Sequence, residues 1–195
     1  TDLLCQRRCK GVLCPFSPGR GSFFSGRWKN VVGAYSNIQN IGEIIHDSSV
    51  ILIIQGATVD NITLSQGSTI LGNINVEISN GSKVGNFKYG DDIKLYEGNI
   101  LKIDISDSTV TEFEKNTIPI SADTTINVKN GTIQKLVGPI VYSVSRKYTT
   151  TMNIINSKVD NIIGSDNSNN ANNDVVININ SNIFLFIIIV LSIYA

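Results

Sequence analysis

The chain has 195 residues, with 16 basic and 16 acidic side chains, three cysteines and one histidine. Balanced charge gives the molecule no overall positive field for nucleic acid. With His46 the lone histidine, any Ser-His-Asp or Cys-His site would have to be built on it.

The charge is nevertheless uneven. Residues 1–30 hold Arg7, Arg8, Lys10, Arg20, Arg27 and Lys29 against Asp2 alone. Cys5, Cys9 and Cys14 lie here too, as do two of the four prolines and the only tryptophan, Trp28. This shift in composition marks a boundary near residue 30. The basic residues match no recognisable nucleic-acid module, so no nucleic-acid partner is expected. A zinc site needs four ligands at familiar spacing, and Cys-x3-Cys-x4-Cys supplies three, with His46 remote in sequence. An irregular segment, tied by one disulfide if the protein is extracellular, is the plainer reading. The chain opens on Thr1 rather than methionine, as expected of a processed product or, the favoured reading, of a fragment of a longer protein.

From residue 31 to 182 a short pattern recurs six times: a small residue, a spacer, Val or Ile, two more residues, then a second apolar one. It reads Ser36-Asn-Ile38-Gln-Asn-Ile41, Ala57-Thr-Val59-Asp-Asn-Ile62 and Ser82-Lys-Val84-Gly-Asn-Phe87. Ser108-Thr-Val110-Thr-Glu-Phe113, Gly131-Thr-Ile133-Gln-Lys-Leu136 and Ser157-Lys-Val159-Asp-Asn-Ile162 follow. The anchors Ile38, Val59, Val84, Val110, Ile133 and Val159 are 21, 25, 26, 23 and 26 residues apart. A period in this range marks a repeat architecture.

Upstream of the anchors, apolar residues alternate at Leu52/Ile54, Leu101/Ile103/Ile105, Ile126/Val128 and Met152/Ile154. Alternation predicts strands with one buried face, and Asn75, Glu77, Lys102, Asp104, Asn127 and Asn153 fall on the other. In the third copy Ile74, Val76 and Ile78 are displaced by one, as if Asn80-Gly81 held an extra turn residue. Turn formers (Gly56, Gly81, Asp107, Asn130, Asn156) separate each strand from its anchor. No helical periodicity appears before residue 183. A constant motif at near-constant spacing predicts stacked coils: an all-β, right-handed parallel β-helix of about six coils of 21–26 residues. The anchors should form one interior column, with Asp60, Gly85, Thr111, Gln134 and Asp160 facing solvent.

This string of alternating Ile/Val, Gly-Thr/Ser and Asn-Ile resembles the repeats of adhesin-like surface proteins with a pectin-lyase-like β-helix, over about residues 31–180. The resemblance implies a non-enzymatic cell-surface or extracellular structural or adhesion protein. It further implies a surface glycan or protein as partner, and self-association along a flat β face. Asn61-Ile-Thr, Asn80-Gly-Ser and Asn130-Gly-Thr are N-glycosylation sequons, and Asn80 and Asn130 sit at equivalent turns.

The competing reading is a pectate-lyase-like polysaccharide lyase or hydrolase. It needs clustered carboxylates with a basic residue, or a carboxylate pair at set separation. Asp91-Asp92 and Arg146-Lys147 are the adjacent pairs to consider, and they fall at different points of the repeat. Phosphate-loop, dinucleotide and His-Glu-x-x-His strings are absent. No catalytic, cofactor or metal residues are assigned.

Residues 165–174 are small and Asn-rich, as in a spacer, and Val175–Ile179 returns to alternation. Residues 183–195 are apolar almost throughout. As a helix they would span about 20 Å, short of a bilayer core of about 30 Å. The alternatives are a lipid-anchor signal holding the protein at a membrane, a truncated span, or a seventh coil with Ile183 above Val159.

Overall fold

A computed structural model of the protein describes residues 28–32, 37–41, 49–64, 69–70, 72–90, 93–95, 98–117, 120–141, 147–164, 173–180 and 188–190. Every regular element among them is a strand. In chain order these are β1 (Trp28–Val32), β2 (Asn37–Ile41), β3 (Val50–Gln55), β4 (Thr58–Thr63), β5 (Thr69–Ile70) and β6 (Ile74–Ser79). Next come β7 (Lys83–Lys88), β8 (Lys94–Leu95), β9 (Ile100–Ser106), β10 (Thr109–Glu114) and β11 (Asp123–Lys129). The last are β12 (Thr132–Val137), β13 (Tyr148–Ile155), β14 (Lys158–Ile163), β15 (Asn173–Asn180) and β16 (Ile188–Val190).

Strands β1, β3, β6, β9, β11, β13 and β15 stack in that order as one seven-stranded sheet. Strands β2, β4, β7, β10, β12, β14 and β16 form a second. Neighbours are parallel throughout. A narrow third side joins β5 to β8 and Ile120 to Val141. Backbone bonds from Leu95 N to Ser121 O (3.2 Å) and Ser121 N to Ile93 O (2.9 Å) link those pieces. The chain thus winds as an all-β parallel solenoid, a β-helix. The third side is built in the four coils that start at β3, β6, β9 and β11. The described solenoid therefore has about four complete turns, against the six coils expected, while the two larger sheets run on past them.

The registers pair like with like. Ile38 lies beside Val59, Val59 beside Val84, Val84 beside Val110, Val110 beside Ile133, and Ile133 beside Val159. From Val59 onward these anchors are at most 2% exposed. In the first sheet, Leu52, Val76, Ile103, Ile126 and Met152 form one inward column, and Ile54, Ile78, Ile105, Val128 and Ile154 another. Burying each such side chain is worth about 1.5–3 kcal/mol. A single coil leaves both rims of its core wet, so the gain is realised only by stacking.

The corner between the sheets has one backbone solution. Gly56 (φ 61°), Asp107 (49°), Asn130 (51°) and Asn156 (48°) all adopt left-handed angles, which Gly, Asn and Asp accept most readily. The third coil uses two such residues, Asn80 (57°) and Gly81 (75°). This is the extra turn residue that displaces its strand by one. Below the corner runs a column of small residues, Ala57, Ser82, Ser108, Gly131 and Ser157. A Cβ on Gly131 would lie 3.1 Å from Val128 and 3.3 Å from the Ser108 carbonyl. The serines also bond between coils: the Ser82 amide donates to Ser108 Oγ (3.2 Å) and the Gly131 amide to Ser157 Oγ (3.0 Å).

Just past the anchors, Asp60, Thr111, Gln134 and Asp160 are exposed and Gly85 half-exposed. A Cβ on Gly85 would come within 2.4 Å of the Asp60 carbonyl oxygen, so a side chain there requires the backbone to shift. In the apolar tail, Ile188–Val190 add a strand to the second sheet, with Ile189 beside Ile162. A seventh coil anchored at Ile183 would instead have set Phe186 there, so the strand lies three residues further along the chain. The remaining residues of 183–195 lie outside the described ones.

Three aromatic rings fill the middle of the core. Phe87 and Phe113 stack with centroids 4.9 Å apart, and Tyr89 lies 5.8 Å from Phe87 and 5.7 Å from Phe113. Tyr89 is fully buried, and its hydroxyl donates to the carbonyl of Val137, two coils further on. Burial raises the phenol well above its ordinary value, because the phenolate would have to form without water.

Two outcomes follow. Val110→Asp places a carboxylate in the apolar column and should cost several kcal/mol in a urea melt. Asp107→Asn keeps the left-handed corner and should be nearly neutral; equal tolerance of the two changes would show that Val110 is not interior. The second concerns alkali. An acid whose folded pKa is raised stabilises the protein fully below its unfolded pKa, about 10, and loses that contribution as pH climbs toward the folded value. Melting temperature should therefore fall above pH of about 10 more steeply in the wild type than in Tyr89→Phe, measured by circular dichroism with the other tyrosines intact.

Candidate functional surface

With the inward positions committed to the core, the outward positions of both large sheets carry the chemistry. On the first sheet an amide ladder climbs four coils. Asn127 Nδ2 donates to Asp104 Oδ1 (2.7 Å), Asn153 Nδ2 to Asn127 Oδ1 (2.8 Å), and Asn178 Nδ2 to Asn153 Oδ1 (2.8 Å). On the second sheet Asn61 Nδ2 donates to Asn40 Oδ1 (3.0 Å), and Asn86 Nδ2 to Asn61 Oδ1 (3.1 Å). The spacing of parallel strands, about 4.8 Å, lets each amide donate down and accept from above.

Charges obey the same geometry. In the column that carries Asn86, the next two residues are Glu112 and Lys135, which form an ion pair. Lys88 pairs with Glu114 (2.8 Å), Lys102 with Asp104 (2.7 Å), Lys158 with Asp160 (3.2 Å) and Lys147 with Asp174 (2.8 Å). These are partly exposed pairs, each worth about 0–1 kcal/mol. Their effect is to neutralise the faces locally. Among the described residues no three His, Cys, Asp or Glu side chains gather where they could hold a metal ion.

The structure separates the three sequon asparagines. Asn61 lies mid-strand on β4, and its Nδ2, the atom a glycan would occupy, also reaches the Gln39 carbonyl (3.4 Å). Asn80 and Asn130 are exposed on the corner ridge, where Asn130 Nδ2 donates to Asp107 Oδ1 (3.1 Å). Of the pairs considered for polysaccharide cleavage, Asp91, Asp92 and Arg146 lie outside the described residues, and Lys147 is held by Asp174. His46, Cys5, Cys9 and Cys14 also lie outside them. No helix among the described residues is long and apolar enough to cross a membrane.

The ladders were absent from the sequence reading, although their signal was present. Asn40, Asn61 and Asn86 each stand two residues after an anchor, and Asp104, Asn127 and Asn153 each stand six before one. A second brace has no such repeat. Asn116 Oδ1 accepts from the Ile140 amide (2.7 Å), and its Nδ2 donates to the Ile140 carbonyl (3.0 Å), closing the third side. No protein-family model, curated protein or solved structure matches this chain.

Proposed function

We propose that this protein is a non-enzymatic structural and adhesion module of a cell surface or extracellular matrix, as its adhesin-like repeats imply. The observation that carries the reading is the pair of outward ladders. They present arrays of amides at a fixed spacing, which suits a repeating partner such as a surface glycan or an extended protein strand. Of the described carboxylates, Asp104, Glu112, Glu114, Asp160 and Asp174 pair with lysines of the same or a neighbouring coil, while Glu77, beside Asp104 in register, accepts from Gln55 and Ser79, and Asp107 and Asp123 accept from Asn130 and the Thr149 amide. The five ion-paired carboxylates are spread over both faces, whereas lyase or hydrolase chemistry demands carboxylates free to act on one bond.

On this reading the corner ridge carries the sugars. Asn80 and Asn130 accept a glycan in solvent without breaking a sheet contact, whereas a glycan on Asn61 disturbs the ladder that joins β2, β4 and β7.

Two measurements test the proposal. Secreted from a eukaryotic cell behind an added signal sequence, the protein should show glycopeptides at Asn80 and Asn130 and unmodified Asn61 in mass spectra. Asn80→Asp and Asn130→Asp should each remove one glycan while keeping the left-handed turn that Asp107 adopts. Glycan on Asn61 with the other two bare would reverse the assignment. In the other measurement, the protein is incubated with polygalacturonate. Retention on the immobilised polymer with no shortening of the chains supports an adhesive surface. Chain cleavage that a chelator abolishes would replace this proposal with the lyase.

A further inference from the structure

The sequence contains two Asn-Gly pairs, Asn80-Gly81 and Asn130-Gly131, and both stand at the corner between the two large sheets. Asparagine before glycine has a reactivity of its own. The glycine nitrogen, once deprotonated, attacks Cγ of the asparagine side chain. The Cγ–Nδ2 bond breaks, Nδ2 leaves as ammonia, and a five-membered succinimide ring remains. Water then opens the ring at either carbonyl. One opening gives aspartate. The other gives isoaspartate, whose main chain runs through the former side chain. Glycine favours the attack because it has no Cβ to crowd its nitrogen.

Both asparagine side chains are exposed, so water and base reach them. The backbone holds the attacking nitrogens back. Asn80 (φ 57°) and Asn130 (φ 51°) are left-handed, a conformation with ψ of about +47°. At that angle the following nitrogen points away from Cβ, and so from Cγ. Ring closure needs ψ to turn through roughly half a circle.

The next coil opposes that rotation. The buried Gly131 amide donates to Ser157 Oγ (3.0 Å). The Gly81 amide donates to the main-chain carbonyl of Asp107 (2.8 Å). Each nitrogen is tied to the coil stacked on it, through the proton that must leave before attack.

The two products differ in what they do to the fold. Aspartate is already accepted at this corner, where Asp107 has φ of 49°. Isoaspartate adds a main-chain carbon to the arm that sets the register, and so displaces the inward side chains that follow it.

We propose that Asn80 and Asn130 are latent deamidation sites kept closed by the next coil, Asn130 through the Ser157 hydroxyl. Loosening of the stack then marks the chain irreversibly at its corners. The inference rests on the corner geometry and stands apart from the proposed function.

The test uses the full chain made in a bacterium, so that neither asparagine carries a glycan, and aged at alkaline pH. Peptide mapping counts asparagine, aspartate and isoaspartate at each corner. Both sites should convert at least about tenfold more slowly in the folded protein than in the same chain unfolded in urea. Equal rates overturn the proposal. Ser157→Ala should quicken conversion at Asn130 about fivefold, the factor that one lost hydrogen bond is worth. Asn80 should keep its rate, because its guard is a main-chain carbonyl. Ser108→Ala removes the acceptor of the Ser82 amide but leaves the Gly131 bond in place, so it should not quicken Asn130. An unchanged rate at Asn130 in Ser157→Ala overturns the assignment, and so does an equal rise in Ser108→Ala, which would mean general loosening. Hydrogen exchange of the wild type needs no variant to fold. The Gly131 amide should be protected there, and exchange as fast as in the unfolded chain would remove the guard.

Discussion

Everything in this structure depends on the parallel register between one coil and the next. Each strand finds its hydrogen-bond partners in the coils before and after it, never within its own. A slip of one residue would turn every core side chain outward. The left-handed corner prevents that slip, because it fixes the path from a first-sheet strand to its anchor. From Leu52, Ile103, Ile126 and Met152 that path takes seven residues, and from Val76 eight, the additional one absorbed by Asn80-Gly81. Variation is confined to the return arm. From each anchor to the matching residue of the next coil, the chain uses 14, 17, 19, 16 and 19 residues. The third side is short and discontinuous for this reason: a ladder needs constant arms, and only the other two arms are constant.

What was legible in the sequence follows the same division. The anchors, alternating strands, turn residues and displaced third copy could all be read, because each is a one-position constraint repeated at a constant offset. The order of strands followed directly once stacking was assumed. The turn count was less legible, since the motif recurs wherever two sheets stack and says nothing about whether the third side closes. The aromatic centre was missed for a related reason. Tyr89 lies five residues after an anchor, a position that no other coil fills with a ring, and its hydroxyl bonds to Val137 two coils away. Contacts that skip a coil leave no periodic trace.

The asparagines show how composition can mislead. Their abundance invites an explanation by codon bias, and an isolated surface Asn in a strand is mildly unfavourable. Stacked at a fixed offset, the amides become donors and acceptors to one another, and the cost of an outward polar strand is offset along the ladder. The same stacking disposes of charge. A lysine in one coil finds a glutamate in the next, as at Lys88–Glu114 and Glu112–Lys135. Repetition thus yields neutral, extended faces.

A stacked fold carries one cost that repetition cannot remove. Every interior coil has its core covered from both sides, but an end coil has it covered from one. Evolution can meet this with a cap of different sequence, with charges that spoil the edge, or with a partner. At β15 the inward positions Val175, Ile177 and Ile179 stay as apolar as those of the interior coils, and the amide column continues through Asn178 without change.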